Sequence, residues 1–250
     1  LHSRPAVINY NRNGDDNDVY IFYGANDGMF HAIQGGRATG GGNVSSTHAF
    51  VDGRLQLVKP MESDNTNPAG GIMTGASDMA KWLVVFLNRG RLADGTRLYS
   101  EAVARELETF VTPQPVGTPA PELAALRANF RGYALGLGVS DYRGKKLITH
   151  TGGLPGFTSR VAWMPEINAG VAVLTNQESS EAWNAIAWTV LDHYLGATDT
   201  NWVEAYGKVK ARSDAALART NANTATARNA ASKPSLALDK YAATYTDAWY

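Results

Sequence analysis

The 250-residue chain contains no cysteine. Disulfide frameworks, thiolate nucleophiles and Cys-built zinc sites are therefore excluded. Net charge is also missing, because 23 Lys and Arg balance 23 Asp and Glu. That balance gives no electrostatic basis for nucleic acid or an anionic membrane as partner. No apolar run approaches the roughly 20 residues that span a bilayer, and the residues from Leu1 onward show no signal-peptide pattern. Two nucleophile motifs are absent as well. No Ser is followed three residues later by Lys, and there is no Gly-x-Ser-x-Gly elbow, so the two commonest ways of activating a serine have no local support here.

What is present suits a folded domain. Hydrophobic residues make up 44%, and the length allows one large core or two small ones. Residues 19–23, Val-Tyr-Ile-Phe-Tyr, and 29–33, Met-Phe-His-Ala-Ile, are rich in β-formers. Asn26-Asp27-Gly28 lies between them as a turn signal, which predicts a hairpin. The polar loop 11–18 places oxygen side chains at alternate positions but lacks a full calcium-loop pattern. Glycines at 35–36 and 40–42 mark a flexible junction.

Ser77 is a candidate N-cap for a helix carrying Met79, Trp82, Leu83, Phe86 and Leu87, with Gly90 as its terminator. Ser100 can cap a second helix reaching about Phe110, and 121–129 permits a short one. Tyr133, Leu135, Leu137 and Val139 alternate as in a strand. Residues 145–150, 157–164 and 169–175 follow with short turns, which predicts an antiparallel meander. Trp183, Ile186, Ala187, Val190, Leu191 and Tyr194 form a helical stripe suited to cover one sheet face. Residues 201–219 can be helical, whereas 220–232, rich in Ala, Thr and Asn, predicts a mobile linker. The charges of Asp141, Arg143, Lys145 and Lys146 are expected on a hairpin facing water.

Several phrases recur together. His48-Ala49-Phe50-Val51-Asp52-Gly53-Arg54-Leu55, Pro68-Ala69-Gly70-Gly71-Ile72, Ser77-Asp78-Met79-Ala80-Lys81-Trp82-Leu83, His150-Thr151-Gly152-Gly153-Leu154-Pro155-Gly156-Phe157 and Val171-Ala172-Val173-Leu174-Thr175-Asn176 stand in that order. From 43 to about 197 the chain resembles the carboxy-terminal half of a serine β-lactamase-like hydrolase, the group of class C β-lactamases, penicillin-binding proteins and carboxylesterases. Ser3-Arg4-Pro5-Ala6-Val7 and the stretch from Gly24 to Ala32 resemble one segment of a type IV pilus biogenesis adhesin, too little to close a propeller. The resemblances imply an α+β fold, an antiparallel sheet flanked by helices, with an added amino-terminal hairpin. They divide the chain into an adhesin-like hairpin (1–36), a truncated β-lactamase-like domain (37–199), a linker (200–232) and the start of an appended β domain (233–250). They also imply a small-molecule ester as substrate and a bacterial periplasmic setting.

In the resembled family the His-Thr-Gly strand forms a wall of the cleft, which assigns His150, Thr151 and Gly152 to that wall. The attacking serine has no counterpart. A water-based hydrolysis could use His150 as base or, alternatively, a zinc ion. His31, His48 and His150 with Asp52 form a candidate zinc set, to which Asp27 or Glu166 can add a carboxylate, although their spacing is unlike His-Glu-x-x-His. His193, near a helix end, fits a surface role. Three readings stay open: a hydrolase of activated carboxylic or phosphoric esters using His- or metal-activated water, an inactive remnant that binds a ligand, and a fusion product without selected activity. The hairpin at 19–33 is expected to cover a sheet edge or to pair with a second copy of the chain.

Overall fold

The structure, a computed structural model, describes residues 6–9, 19–24, 29–35, 45–51, 53–59, 72 and 74–246. Within 6–35 it describes strand backbone. The chain divides into a first unit ending at Lys210 and a second from Ala211.

The first unit is α+β. Its strands are β1 (Ala6–Asn9), β2 (Val19–Gly24), β3 (Met29–Gly35), β4 (Thr47–Val51), β5 (Arg54–Val58), β6 (Thr112–Pro113), β7 (Arg131–Tyr133), β8 (Gly138–Tyr142), β9 (Lys145–Leu154), β10 (Phe157–Met164) and β11 (Ala169–Thr175). Among the described residues, nine of them form one sheet in the order β1-β2-β3-β11-β10-β9-β8-β7-β6, and β4 pairs with β5 separately. The expected meander is present: β8, β9, β10 and β11 are joined antiparallel. The expected hairpin is present too, with Ile21 opposite Ile33. It meets the meander through β3, which runs parallel to β11 at Met29–Gly170 and Phe30–Val171.

Helices cover both faces. Helix α1 (Ala76–Leu87) lies on one, where Ala80 and Leu83 pack with Val139, Ile148, Trp163 and Ala172. Helix α3 (Ser180–Leu195) lies on the other, where Trp183, Ala187, Trp188 and Leu191 meet Leu147, Ala162, Met164, Val171 and Val173. Ile148 and Leu147 adjoin in sequence and enter opposite layers, as strand alternation requires. Each such fully buried side chain contributes about 1.5–3 kcal/mol.

Local signals mostly act as the sequence predicts. Ser100 caps α2 (Glu101–Leu107) by accepting from the Val103 amide at 3.2 Å, and the helix stops short of Phe110. Gly196, at φ +69°, ends α3 in the left-handed region. Three expectations need correction. Ser77 is inside α1, not its cap; Gly75 holds that position without a side-chain bond. The alternating run 133–139 is two strands, because Gly136 (φ +80°) turns the chain between β7 and β8. Helix α4 (Trp202–Ala227) continues through most of the stretch read as a linker, since alanine is the best helix former. The second unit contains the rest of α4 and a 3₁₀ turn, Leu238–Tyr241. No helix among the described residues is long and apolar enough to cross a membrane.

Of the charges expected to face water, Asp141 is buried and Arg143, half-buried, is bound to a buried carboxylate. Asp192, buried on α3, accepts from the Tyr142 hydroxyl, from Arg143 Nε at 2.7 Å and Nη2 at 3.0 Å, and from Trp202 Nε1 at 2.7 Å. Arg143 also donates to the exposed Asp199. This network joins β8 to α3 and to the first turn of α4. Burial, helped by the Asp192 carboxylate, pushes the Tyr142 phenol well above its ordinary range.

Asp141, likewise buried, accepts from the Asn129 amide at 2.6 Å, the Asn129 side chain at 2.6 Å and the Phe130 amide at 3.1 Å. Burial alone would raise its pKa; those donors outweigh it and hold the carboxyl below the usual range. A folded-state value below the unfolded one contributes stability above the unfolded value, about 3.9, and loses it as pH falls through the folded value. Urea midpoints measured between pH 7 and pH 2.5 should therefore drop more steeply below about pH 4 for the wild type than for Asp141→Asn. Parallel curves for the two proteins would contradict this role.

Candidate active site

The site grows from the β9–β10 hairpin. Leu154 pairs with Phe157, leaving Pro155-Gly156 as a two-residue turn. Gly156 takes φ +79°, which suits the position after Pro in a type II turn. A side chain there would also strike Thr47, whose Cβ is 2.6 Å from the place a Cβ would occupy. The tip is tied down from two sides. The Gly156 amide donates to Glu178 Oε1 at 2.8 Å, and β4 reaches the end of β11 through the His48 amide, which donates to the Asn176 carbonyl at 3.1 Å.

That tight turn fixes the register of everything behind it. Gly152 faces Ser159, Thr151 faces Arg160, and His150 faces Val161. By alternation His150, Gly152 and Ser159 share the α1 face of the sheet, beyond Ile148 and Trp163, while Thr151 and Arg160 share the α3 face. His150, Thr151, Gly152 and Gly153 are all exposed. Helix α1 covers the buried end of this face, and the polar end lies open.

His150 Nε2 lies 3.1 Å from the Tyr133 hydroxyl, their rings tilted with centroids 6.4 Å apart. Tyr133 reaches it from β7, two strands away. The Ser159 hydroxyl oxygen is 2.6 Å from the position of a Cβ on Gly152, so it leans over the glycine into space that any larger residue would fill. Behind Thr151, Arg160 is held among aromatic rings. Its guanidinium carbon is 4.4 Å from the Trp188 ring centroid and 5.3 Å from that of Trp183, and it donates to Asn184 Oδ1 at 2.6 Å. Burial pushes its pKa down to about 10. The cation stiffens the back of the hairpin through cation–π contact.

The expected zinc set does not assemble among the described residues. His48 Nδ1 contacts the Asn176 carbonyl at 3.2 Å and anchors β4. His48 bridges Gln177, whereas the position level with His150 on β11 is Ala172; strand spacing then separates the two histidines by roughly 15–20 Å. Two imidazoles sharing one Zn²⁺ each need a nitrogen within about 2.1 Å of it. Glu166 carboxylate oxygens accept from the Lys146 amide at 2.9 and 3.2 Å, away from His150. Among the described residues no group of three His, Asp or Glu side chains could hold a metal. Asp27, Asp52 and the 11–18 loop lie outside the described residues, as does the side chain of His31, whose backbone pairs with Tyr23. His193 is exposed in the last turn of α3 and packs edge-on against Tyr194.

The sequence singles out His150 and Gly152 and passes over Tyr133 and Ser159, which the fold places beside them. The Pro155-Gly156 turn was the available signal for Ser159, since a two-residue connection dictates that 152 and 159 oppose each other.

Among curated proteins the chain is 25% identical over 194 residues to "Unguisins hydrolase ungD" of Aspergillus violaceofuscus (strain CBS 115571), covering 74% of this chain and 34% of that protein. The chain thus spans about a third of the length of that relative. Among solved structures it is similar to the octameric penicillin-binding protein homologue from Pyrococcus abyssi, with 25% identity and a TM-score of 0.49 over 63% of this chain and 32% of that one. A family model described as Beta-lactamase matches residues 8–195, and so takes in most of the amino-terminal stretch 1–36 that the sequence reading set apart. Since that match takes in most of the sequence and both the sheet and the His150 strand, the chain belongs to the β-lactamase family.

Proposed function

We propose that the chain hydrolyses a small-molecule carboxylic ester with water activated by His150. The observation that carries this reading is the contact between His150 Nε2 and the Tyr133 hydroxyl on an open, glycine-lined face. When Nε2–H donates to Tyr133, the ring is held in the tautomer whose Nδ1 accepts. A water then gives its proton to Nδ1 as its oxygen attacks the ester carbonyl. The imidazolium returns that proton to the departing alcohol, and the carboxylic acid remains. Membership of the β-lactamase family and a relative named as a hydrolase support hydrolytic chemistry in general.

General-base catalysis contributes about 10²–10⁴-fold. His150→Gln should accordingly lower kcat/KM for p-nitrophenyl acetate by about 100-fold, with the melting temperature unchanged. The wild-type rate should survive EDTA, and a fluorophosphonate should leave no covalent mass. Undiminished turnover in His150→Gln would refute the reading. A rate lost to chelator would return the metal alternative, and no turnover with saturable ester binding would identify a binding protein.

A further inference from the structure

On that reading the carbonyl under attack needs a hydrogen-bond donor, and we infer that the Ser159 hydroxyl is this donor: a catalytic residue that binds the developing oxyanion. Three observations converge on it. Ser159 stands directly opposite Gly152, and His150 stands opposite the next same-face position, Val161. Ser159 and His150 are therefore diagonal neighbours on one face. Diagonal cross-strand positions lie about 7–8 Å apart along the backbone, close enough for both side chains to reach one small ligand.

Gly152 is the second observation. A Cβ at this position would be 2.6 Å from Ser159 Oγ. The absence of a side chain at Gly152 leaves room for the hydroxyl to lean over β9, the strand that carries His150. Third, among the described residues the half-buried Ser159 side chain makes no hydrogen bond, in contrast to Thr158 and Thr175 beside it, which bond each other at 2.8 Å and the Gln177 carbonyl. A hydroxyl left uncommitted next to a candidate base, on rigid strands, is preorganised to donate where negative charge develops.

The step keeps its balance without Ser159 changing covalently. Its O–H donates to the carbonyl oxygen as water adds, and the bond is given up when the carbonyl re-forms and the alcohol departs. The ligand class follows: a small ester whose tetrahedral, singly negative adduct fits between His150 and Ser159. Phenylphosphonate presents the same tetrahedral oxyanion without reacting.

The test measures p-nitrophenyl acetate turnover and phenylphosphonate binding by calorimetry for wild type, Ser159→Ala, Gly152→Ala and His150→Gln. Loss of one such donor costs about 10²–10³-fold in kcat. Ser159→Ala should lose about 100-fold in kcat with little change in KM and should bind phenylphosphonate at least tenfold more weakly. Gly152→Ala should match it by displacing the hydroxyl. Full turnover in Ser159→Ala beside a disabled His150→Gln overturns the donor role and leaves the hydrolase reading standing. Wild-type protein that binds phenylphosphonate in a Ser159-dependent way yet turns over no ester refutes the hydrolase reading and keeps the oxyanion site. Equal phenylphosphonate affinity in Ser159→Ala, or no binding by wild type, sinks the inference whatever the turnover. A fluorophosphonate adduct on Ser159 also overturns it, because the hydroxyl would then be the nucleophile.

Discussion

Asp192→Ala should lower the unfolding free energy by about 3–5 kcal/mol, the cost of breaking a buried ion pair from one side. The carboxylate is the acceptor on which Tyr142, Arg143 and Trp202 converge, and its side chain is only 5% exposed. Alanine leaves the Tyr142 hydroxyl and the Trp202 N–H buried without their acceptor, and Arg143 keeps only its bonds to the exposed Asp199 and to the Tyr142 oxygen. Because stability of a whole domain is commonly 5–15 kcal/mol, such a loss approaches unfolding. Urea denaturation followed by tryptophan fluorescence measures it directly. Asp192→Asn keeps the shape and one acceptor oxygen and should fall between alanine and wild type. A loss below about 1 kcal/mol in Asp192→Ala, typical of a surface ion pair, would show that the network is solvated.

The second large effect lies on the other face. Trp163 is wholly buried, stacked on Phe86 with ring centroids 4.7 Å apart, and sits opposite Ile148 at the base of the His150 strand. Trp163→Ala should cost about 3–5 kcal/mol through lost burial and the cavity left behind. The indole N–H is buried and has no hydrogen-bond partner among the described residues. Phenylalanine keeps the stack and removes that unpaired donor, which itself carries a penalty of about 1–3 kcal/mol. Trp163→Phe should consequently lose less than half of what alanine loses. Equal losses in the two variants would mean that the indole N–H is satisfied in solution.

How far the sequence reaches depends on how far away the deciding partner lies. The meander, the Trp183 helix and the Ser100 cap rest on neighbours within a few residues, and local periodicity exposes them. Gly152 and His150 stand out because the phrase around them is distinctive. Asp141 and Arg143 look solvated because their neighbours in sequence are polar. Their true partners come from Asn129 and Phe130, and from Asp192 and Asp199, and no local pattern announces such distant pairings. Tyr133 was hidden for a different reason: its alternation with Leu135 and Leu137 mimics one straight strand, whereas the chain turns at Gly136 and Tyr133 pairs with Gly138, which in turn pairs with Thr149 beside His150. Glycine conformations of this kind decide topology while leaving hydrophobic periodicity intact.

The parallel junction of β3 with β11 carries a consequence for how the molecule assembles. Met29 meets Gly170, a contact across about 140 residues of chain, and contacts of such long loop closure form slowly. The meander from β8 to β11 needs only short closures and can organise early. On a ribosome β2 and β3 emerge long before β11 exists, so they wait as a hairpin whose outer edge is unsatisfied. Refolding should thus have a late phase that belongs to the docking of β3.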